Sequence, residues 1–111
     1  MVPKLTRRLM LEAPVQVADG AGGFRKTWQA LGQVWAEVKP GPGVEKAGEF
    51  VTLASVPLKI RVRGAPEGSP QRPKPEQRFR EGARIYRILA VTEHDAAGMY
   101  LTCFAREEVV A

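Results

Sequence analysis

The sequence is poor in the residues that most often carry chemistry or covalent cross-links. Its 111 residues include one cysteine and one histidine. The lone Cys103 excludes an intrachain disulfide framework and a zinc site built from several cysteines. We therefore expect no disulfide, no structural metal and no cofactor.

Long apolar runs are also missing. No stretch approaches the roughly 18 consecutive apolar residues that a membrane-spanning helix needs. Lys4, Arg7 and Arg8 interrupt the N-terminal segment in which a signal peptide would carry its apolar core. These absences predict a protein that is assembled in the cytoplasm and has no membrane partner.

No arrangement of residues points to catalysis. His94 lies in a Glu-His-Asp triplet, but neighbouring side chains diverge in an extended or turn segment and do not converge on a substrate. Cys103 lies in an apolar strand pattern, where nothing nearby would lower its pKa. The glycines of residues 20–23 lack the Lys-Ser/Thr ending of a phosphate-binding loop. The sequence therefore predicts that the chain is not an enzyme.

What the sequence does contain is an ordinary globular composition with an uneven charge. Hydrophobic residues make up 44% and charged residues 26%, which predicts a single domain over residues 1–111. The formal net charge is +5, and residues 59–87 hold nine basic and three acidic residues. Such a segment attracts polyanions or acidic proteins, although a solvated strand face with an arginine-rich loop would look the same.

The dominant hydrophobic period is two, which indicates strands. We expect a mainly-β fold, a small antiparallel β-barrel of five to six strands with long exposed loops and little helix. The first strand is expected to end near Pro14 or to continue through residues 15–17 after a kink. Its partner is expected to begin at Trp28, to include the alternating residues 34–38 and to stop at Pro40. Further strands are expected at residues 56–63, 83–91 and 99–105, followed by a short tail at residues 107–109.

Two segments are expected to be long loops, residues 41–55 and residues 64–77. The first opens with a Pro-Gly-Pro-Gly run that cannot continue a ladder of strand hydrogen bonds. The second contains four prolines and two glycines among several charged residues.

The stretch from Asp19 to Glu45 is the most distinctive part of the chain. Its glycine-rich start supplies the positive-φ positions that a hairpin turn requires. Trp28 and Trp35 follow, and we interpret both as packing residues in the core or at a subunit interface, because large aromatic side chains dominate both kinds of burial.

The ordered set of motifs resembles the phage head-tail joining proteins, a family that includes the head-closure or stopper subunits of long-tailed phages and of gene transfer agents. The resemblance covers residues 4–109. It is carried by Leu5, Arg8, Leu11, Asp19-Gly20-Ala21-Gly22-Gly23, Trp28, Val34-Trp35-Ala36-Glu37-Val38, Gly43 and Glu45, Leu58-Lys59-Ile60-Arg61-Val62-Arg63, Arg84-Ile85-Tyr86-Arg87-Ile88, Met99-Tyr100-Leu101 and Glu107-Glu108.

The resemblance implies a structural virion component, a β-barrel subunit that forms a homo-oligomeric ring in the head-tail connector. The portal and adaptor rings would lie above this ring, and tail terminator or tail tube proteins below it. The ring would help to retain double-stranded DNA in the head and pass it through a channel.

The resemblance also suggests site residues. A loop that points into the channel would contain Glu45, Lys46, Glu49, Phe50, Val51 and Leu53. Residues that contact DNA or a neighbouring subunit would be Lys59, Arg61, Arg63 and Arg78.

A second function is compatible with the same residues. A basic barrel of this size also suits a monomeric nucleic-acid-binding module of the oligonucleotide-binding or SH3-like type. Such a module would bind single-stranded nucleic acid in a salt-dependent way, whereas a ring component would bind free DNA poorly.

Overall fold

The computed structural model describes residues 2–41 and 55–108, and within these ranges the chain forms six strands and no helix. The strands are β1 (Arg7–Ala18), β2 (Phe24–Pro40), β3 (Ser55–Arg63), β4 (Arg78–Glu81), β5 (Arg84–Glu93) and β6 (Tyr100–Glu108).

The strands are antiparallel and close into a barrel in the order β1-β2-β3-β6-β5-β4. Closure depends on the short β4, which pairs with β1 at residues 10–12 on one side and with β5 on the other. The predicted fold class, a small antiparallel β-barrel, is therefore confirmed.

The barrel interior is filled by the apolar side chains that alternate along each strand. Because successive side chains in a strand point to opposite faces, the charged residues between them are directed outward. Every strand contributes to the core, which consists of Leu9, Leu11, Ala36, Leu58, Ile60, Val62, Phe79, Tyr86, Ile88, Leu101, Cys103 and Ala105.

The first hairpin is longer than the sequence predicted. β1 does not end near Pro14 but continues through residues 15–17, the alternative given above, as far as Ala18, and β2 begins at Phe24, before Trp28. Beyond Glu12, β1 pairs with β2 alone among the described strands. A proline is tolerated there because one edge of β1 has no strand beside it.

This extension forms what we name the hairpin arm, residues 13–29. Its two strands pair only with each other, and an exposed turn at residues 19–23 joins them. In the turn, Asp19 Oδ1 accepts hydrogen bonds from the backbone N–H groups of Ala21 (2.8 Å) and Gly23 (3.0 Å). Gly20 has a φ of 81°, a left-handed conformation that favours glycine.

The other strand predictions also need correction at their ends. β4 was not predicted, because its four residues contain a single apolar side chain, Phe79. β5 begins at Arg84 and extends to Glu93, beyond the expected strand at residues 83–91, and its Leu89 and Ala90 are exposed, with a bulge between Ile88 and Ala90. β6 continues to Glu108, through residues that were expected to form a tail.

The predicted loop at residues 64–77 has turns and no strand, and it is held against the barrel at two places. The Gly64 N–H donates to the Met99 carbonyl (2.8 Å), and a Cβ atom at Gly64 would collide with the Gly98 carbonyl oxygen. At the other end of the loop, the Ile88 N–H of β5 donates to the Gln77 carbonyl (2.9 Å), whereas the hydrogen bond from Arg72 Nη1 to the Ala65 carbonyl (2.9 Å) lies within the loop. The predicted channel-loop residues 45–53 lie outside the described residues.

Candidate interaction surfaces

The outward positions of β3 carry Lys59, Arg61 and Arg63, as the alternation predicted. Arg61 is nevertheless committed to its own subunit, because its Nη1 donates to Glu37 Oε1 (3.2 Å). The Lys4 backbone N–H donates to the other carboxylate oxygen (3.0 Å). That backbone hydrogen bond first, and the Arg61 guanidinium second, hold the pKa of Glu37 below its ordinary value.

The two remaining cations of β3 lie beside aromatic rings of β6. Lys59 Nζ is 6.0 Å from the centre of the Phe104 ring, and Arg63 Cζ is 5.9 Å from that of Tyr100. In each pair the two residues are direct cross-strand partners. The sequence could not show this combination of cations and rings, because the partners are more than 35 residues apart in the chain.

Arg78 is held by a buried carboxylate. Glu12 is only 4% exposed, although it is on the outward side of β1. Arg78 Nε donates to Glu12 Oε1 (2.7 Å), and Arg80 Nε lies 3.1 Å from Glu12 Oε2. Arg78 Cζ is also 4.1 Å from the centre of the Trp28 ring. Arg78 therefore stabilises the junction between the hairpin arm and β4.

The two tryptophans occupy different environments. Trp28 is half-buried and stacked against Arg78, whereas Trp35 is 52% exposed and does not belong to the barrel core. Arg8 Cζ lies 5.1 Å from the Trp35 ring centre. Trp35 lines an open groove of about 520 Å³ together with Leu5, Gln33, Val34, Val62, Arg63, Gly64, Ala65 and Gln71. Its role at a subunit interface stays a prediction.

An ionic cluster occupies one end of the barrel. Arg7 donates to both carboxylate oxygens of Glu81, and the buried Tyr86 donates its hydroxyl hydrogen to Glu81 Oε1 (2.8 Å). Beside them, Arg84 makes a bidentate contact with Glu107, through Nε at 2.7 Å and Nη2 at 2.9 Å. The arginine hydrogen bonds lower the pKa values of Glu81 and Glu107, while burial raises the pKa of Tyr86 to about 12.

This cluster predicts a loss of stability in acid. The pKa of Glu81 is lower in the folded chain than in the unfolded chain, so the folded state binds fewer protons. Its contribution is complete above the unfolded value of about 4.3 and is lost as the pH falls through the lower folded value. Thermal unfolding should therefore show a steady melting temperature from pH 8 to 6 and a steep fall below about pH 5.

The variant Glu81→Gln should flatten that fall, because glutamine does not titrate. Glu67→Gln, in the exposed part of the loop at residues 64–77, serves as the matched control and should follow the wild-type curve. Parallel curves for Glu81→Gln and the wild type would show that Glu81 is not responsible.

The residues considered for catalysis are placed where the sequence suggested. Cys103 is fully buried, and burial raises the pKa of its thiol to about 12, which keeps it protonated. His94 lies in a turn, where its backbone N–H donates to the Tyr100 carbonyl (2.8 Å). Within residues 2–41 and 55–108, no three His, Cys, Asp or Glu side chains are grouped so that they could hold a metal ion. In the same ranges, no helix is long and apolar enough to span a membrane.

Comparison with known proteins gives three findings. The family described as phage head completion protein matches residues 1–108. A chain in the virion of a native gene transfer agent particle has 69% sequence identity and a TM-score of 0.81, and the alignment covers 99% of this chain and 100% of that one. A Shigella flexneri 2a protein of known solution structure has 21% identity and a TM-score of 0.65, covering 96% and 95%. That similarity shows the fold alone. No curated protein matches the chain.

Proposed function

The chain belongs to the phage head completion protein family, and on this basis we propose that it works in the head-tail connector of a phage or gene transfer agent particle as a head-closure subunit. It is a structural virion component that associates with other head and tail proteins, and it is not an enzyme. The observation that carries the proposal is the 69% identity, over essentially the whole length of both chains, with a virion chain of a gene transfer agent.

The finer parts of the proposal concern the assembly. The subunit forms a homo-oligomeric ring between the portal and adaptor rings of the head and the tail terminator or tail tube proteins, and it is assembled in the host cytoplasm. Such a ring uses two different surfaces of each subunit, because each copy contacts one neighbour with one surface and the other neighbour with another. The exposed Trp35 and its groove are the apolar feature of the barrel that best suits one of these surfaces.

The ring would surround the channel through which double-stranded DNA passes, and residues 45–53 would form the loop that points into it. Lys59 and Arg63 could then contact DNA or a neighbouring subunit. Arg61 and Arg78 suit such a contact less well, because each is paired with a carboxylate of its own subunit and their side chains are only 20% and 16% exposed.

Removal of the gene tests the proposed function. Cells that lack the chain should still make heads and tails, but the two should be unjoined, and the heads should lose DNA because nothing closes them. Electron microscopy would count joined particles, and nuclease protection would measure DNA retained in heads. Supplying the wild-type chain in trans should restore both. Normal numbers of filled, joined particles without the chain would contradict the proposal.

The alternative of a monomeric nucleic-acid-binding module has one observation in its favour, the two cation–aromatic pairs of β3 and β6. In such modules the rings stack on bases. Here Phe104 and Tyr100 could supply such rings, and Lys59 and Arg63 beside them could pair with the phosphates of the strand. A salt-titrated measurement of single-stranded DNA binding separates the alternatives, because the connector subunit should bind weakly at every salt concentration.

A further inference from the structure

Three arginines from three adjacent strands lie directly opposite one another on the outside of the barrel. Arg78 of β4 is the cross-strand partner of Arg87 of β5, and Arg87 is the partner of Arg106 of β6. Neighbouring strands are about 4.8 Å apart, so the row spans about 10 Å. Arg80 is on the same side of β4. We name these four residues the arginine face.

The row of arginines does not stabilise the fold. Like charges placed directly opposite each other on a sheet are destabilising. Two carboxylates offset part of the cost, Glu12 beside Arg78 and Arg80, and Glu108, whose Oε2 lies 3.4 Å from Arg87 Nε. Arg78, Arg80 and Arg87 share these two carboxylates, so the three guanidinium groups keep a positive excess.

The face is also accessible. The side chains of Arg80 and Arg87 are 50% and 54% exposed. Each guanidinium carries five N–H donors in a planar fork, which is more than one carboxylate can accept. A second carboxylate could therefore bind each of them without displacing the internal one.

The surroundings of the face favour a protein partner over DNA. Trp28 is stacked on Arg78, and Leu89, two residues beyond Arg87, is 51% exposed. Arginine and tryptophan are enriched at the energetic centre of protein interfaces, and an exposed apolar side chain beside them adds surface that a protein partner can bury. A contact with DNA phosphates needs no apolar residue, and a strongly cationic surface would hold back DNA that has to pass through a channel.

The charge of the face argues against the same face of a second copy as the occupant. Contact between two arginine faces would bring like charges together, and a ring neighbour with a formal charge of +5 is a weaker match than an acidic protein. A neighbouring protein with exposed carboxylates has the complementary charge.

We propose that the arginine face docks on an acidic surface of a different protein of the particle, with Arg80 and Arg87 binding its carboxylates. This inference rests on the proposed function, because it takes that partner to be a head or tail component. It adds the side of the barrel that makes the contact and the chemistry of the surface that receives it.

The test is binding to heads and, separately, to tails purified from cells that lack this chain. Purified wild-type chain should sediment with one of the two. The binding should weaken as the salt concentration rises from about 50 to about 200 mM, because salt screens the attraction between exposed charges. The double variant Arg80→Glu/Arg87→Glu should reduce that binding by roughly tenfold or more. The control Lys4→Glu/Arg25→Glu, at exposed positions outside the arginine face, makes the same change in net charge and should bind like the wild type.

The neutral variant Arg80→Gln/Arg87→Gln guards against a folding defect, because it places no carboxylate beside Glu12. We expect this variant to have the melting temperature of the wild type and still to bind more weakly. Unaltered binding of this variant and of the Glu variant would contradict this inference alone. If these variants lose binding to a DNA duplex but keep binding to particles, the face binds nucleic acid, and this inference is overturned. A wild-type chain that binds neither heads nor tails would contradict the proposed function and this inference together.

Discussion

Replacing Phe79 by alanine should lower the free energy of unfolding by about 3–5 kcal/mol. Phe79 is completely buried and is the one core residue of β4, the strand that closes the barrel between β1 and β5. Truncation would remove its apolar surface from the core and leave a cavity that the surrounding sheet cannot readily fill. Since small domains have about 5–15 kcal/mol of stability in total, this loss is a large fraction of it.

Denaturant unfolding followed by circular dichroism and tryptophan fluorescence would measure the loss. Leu89→Ala is the matched control, because Leu89 is an apolar residue of the adjacent strand with an exposed side chain. Its effect should stay within about 0.5 kcal/mol. A Phe79→Ala variant within about 1 kcal/mol of the wild type would show that closure of the barrel by β4 contributes little to stability.

Replacing Glu12 by alanine should cost about 3 kcal/mol, a large effect for one charged side chain. The buried Glu12 carboxylate is in contact with Arg78 and Arg80. Without it, the poorly exposed Arg78 guanidinium keeps its charge but loses its partner, and it then faces Arg87 across the strand pair. Leaving a charge buried and uncompensated is more destabilising than the pair itself is stabilising.

Glu108→Ala is the control, because Glu108 bridges to Arg87 in a more exposed setting and should cost less than about 1 kcal/mol. Both variants can be measured by urea unfolding at pH 7. The double variant Glu12→Ala/Arg78→Ala should recover part of the loss, because the unpaired charge is gone. Equal and small effects of the two single variants would contradict a special role for the buried carboxylate.

Alternation of apolar residues was sufficient to predict the strands that contribute several residues to the core. The expected strand at residues 56–63 corresponds closely to β3, because one of its faces is apolar and the other basic. β4 has no such pattern. It is a strand because β1 and β5 provide hydrogen-bonding partners on both sides, and this is a property of the tertiary structure. Pro14 suggested an end of β1 because a proline interrupts a strand that has neighbours on both sides. At Pro14, β1 has a neighbour on one side only among the described strands, so the strand continues through the proline.

The candidate surfaces were predictable only in part. The outward direction of Lys59, Arg61 and Arg63 follows from alternation, but their partners on β2 and β6 depend on how strands pair. The arginine face depends on register even more. A shift of one residue in the pairing of β5 with β6 would turn Arg87 away from Arg106, and the bulge at Leu89 that helps to set this register has no sequence signal of its own.

The hairpin arm gives the subunit two regions of unequal local stability. Strands in the barrel have neighbours on both sides, whereas the outer part of the arm is a two-stranded ribbon, which is marginally stable by itself in water. Amide hydrogens of the arm therefore exchange through local opening, while those of the core strands exchange through global unfolding. The arm can open and re-form without disturbing the barrel, so it can adapt to the shape of a neighbouring molecule while the rest of the subunit keeps its shape.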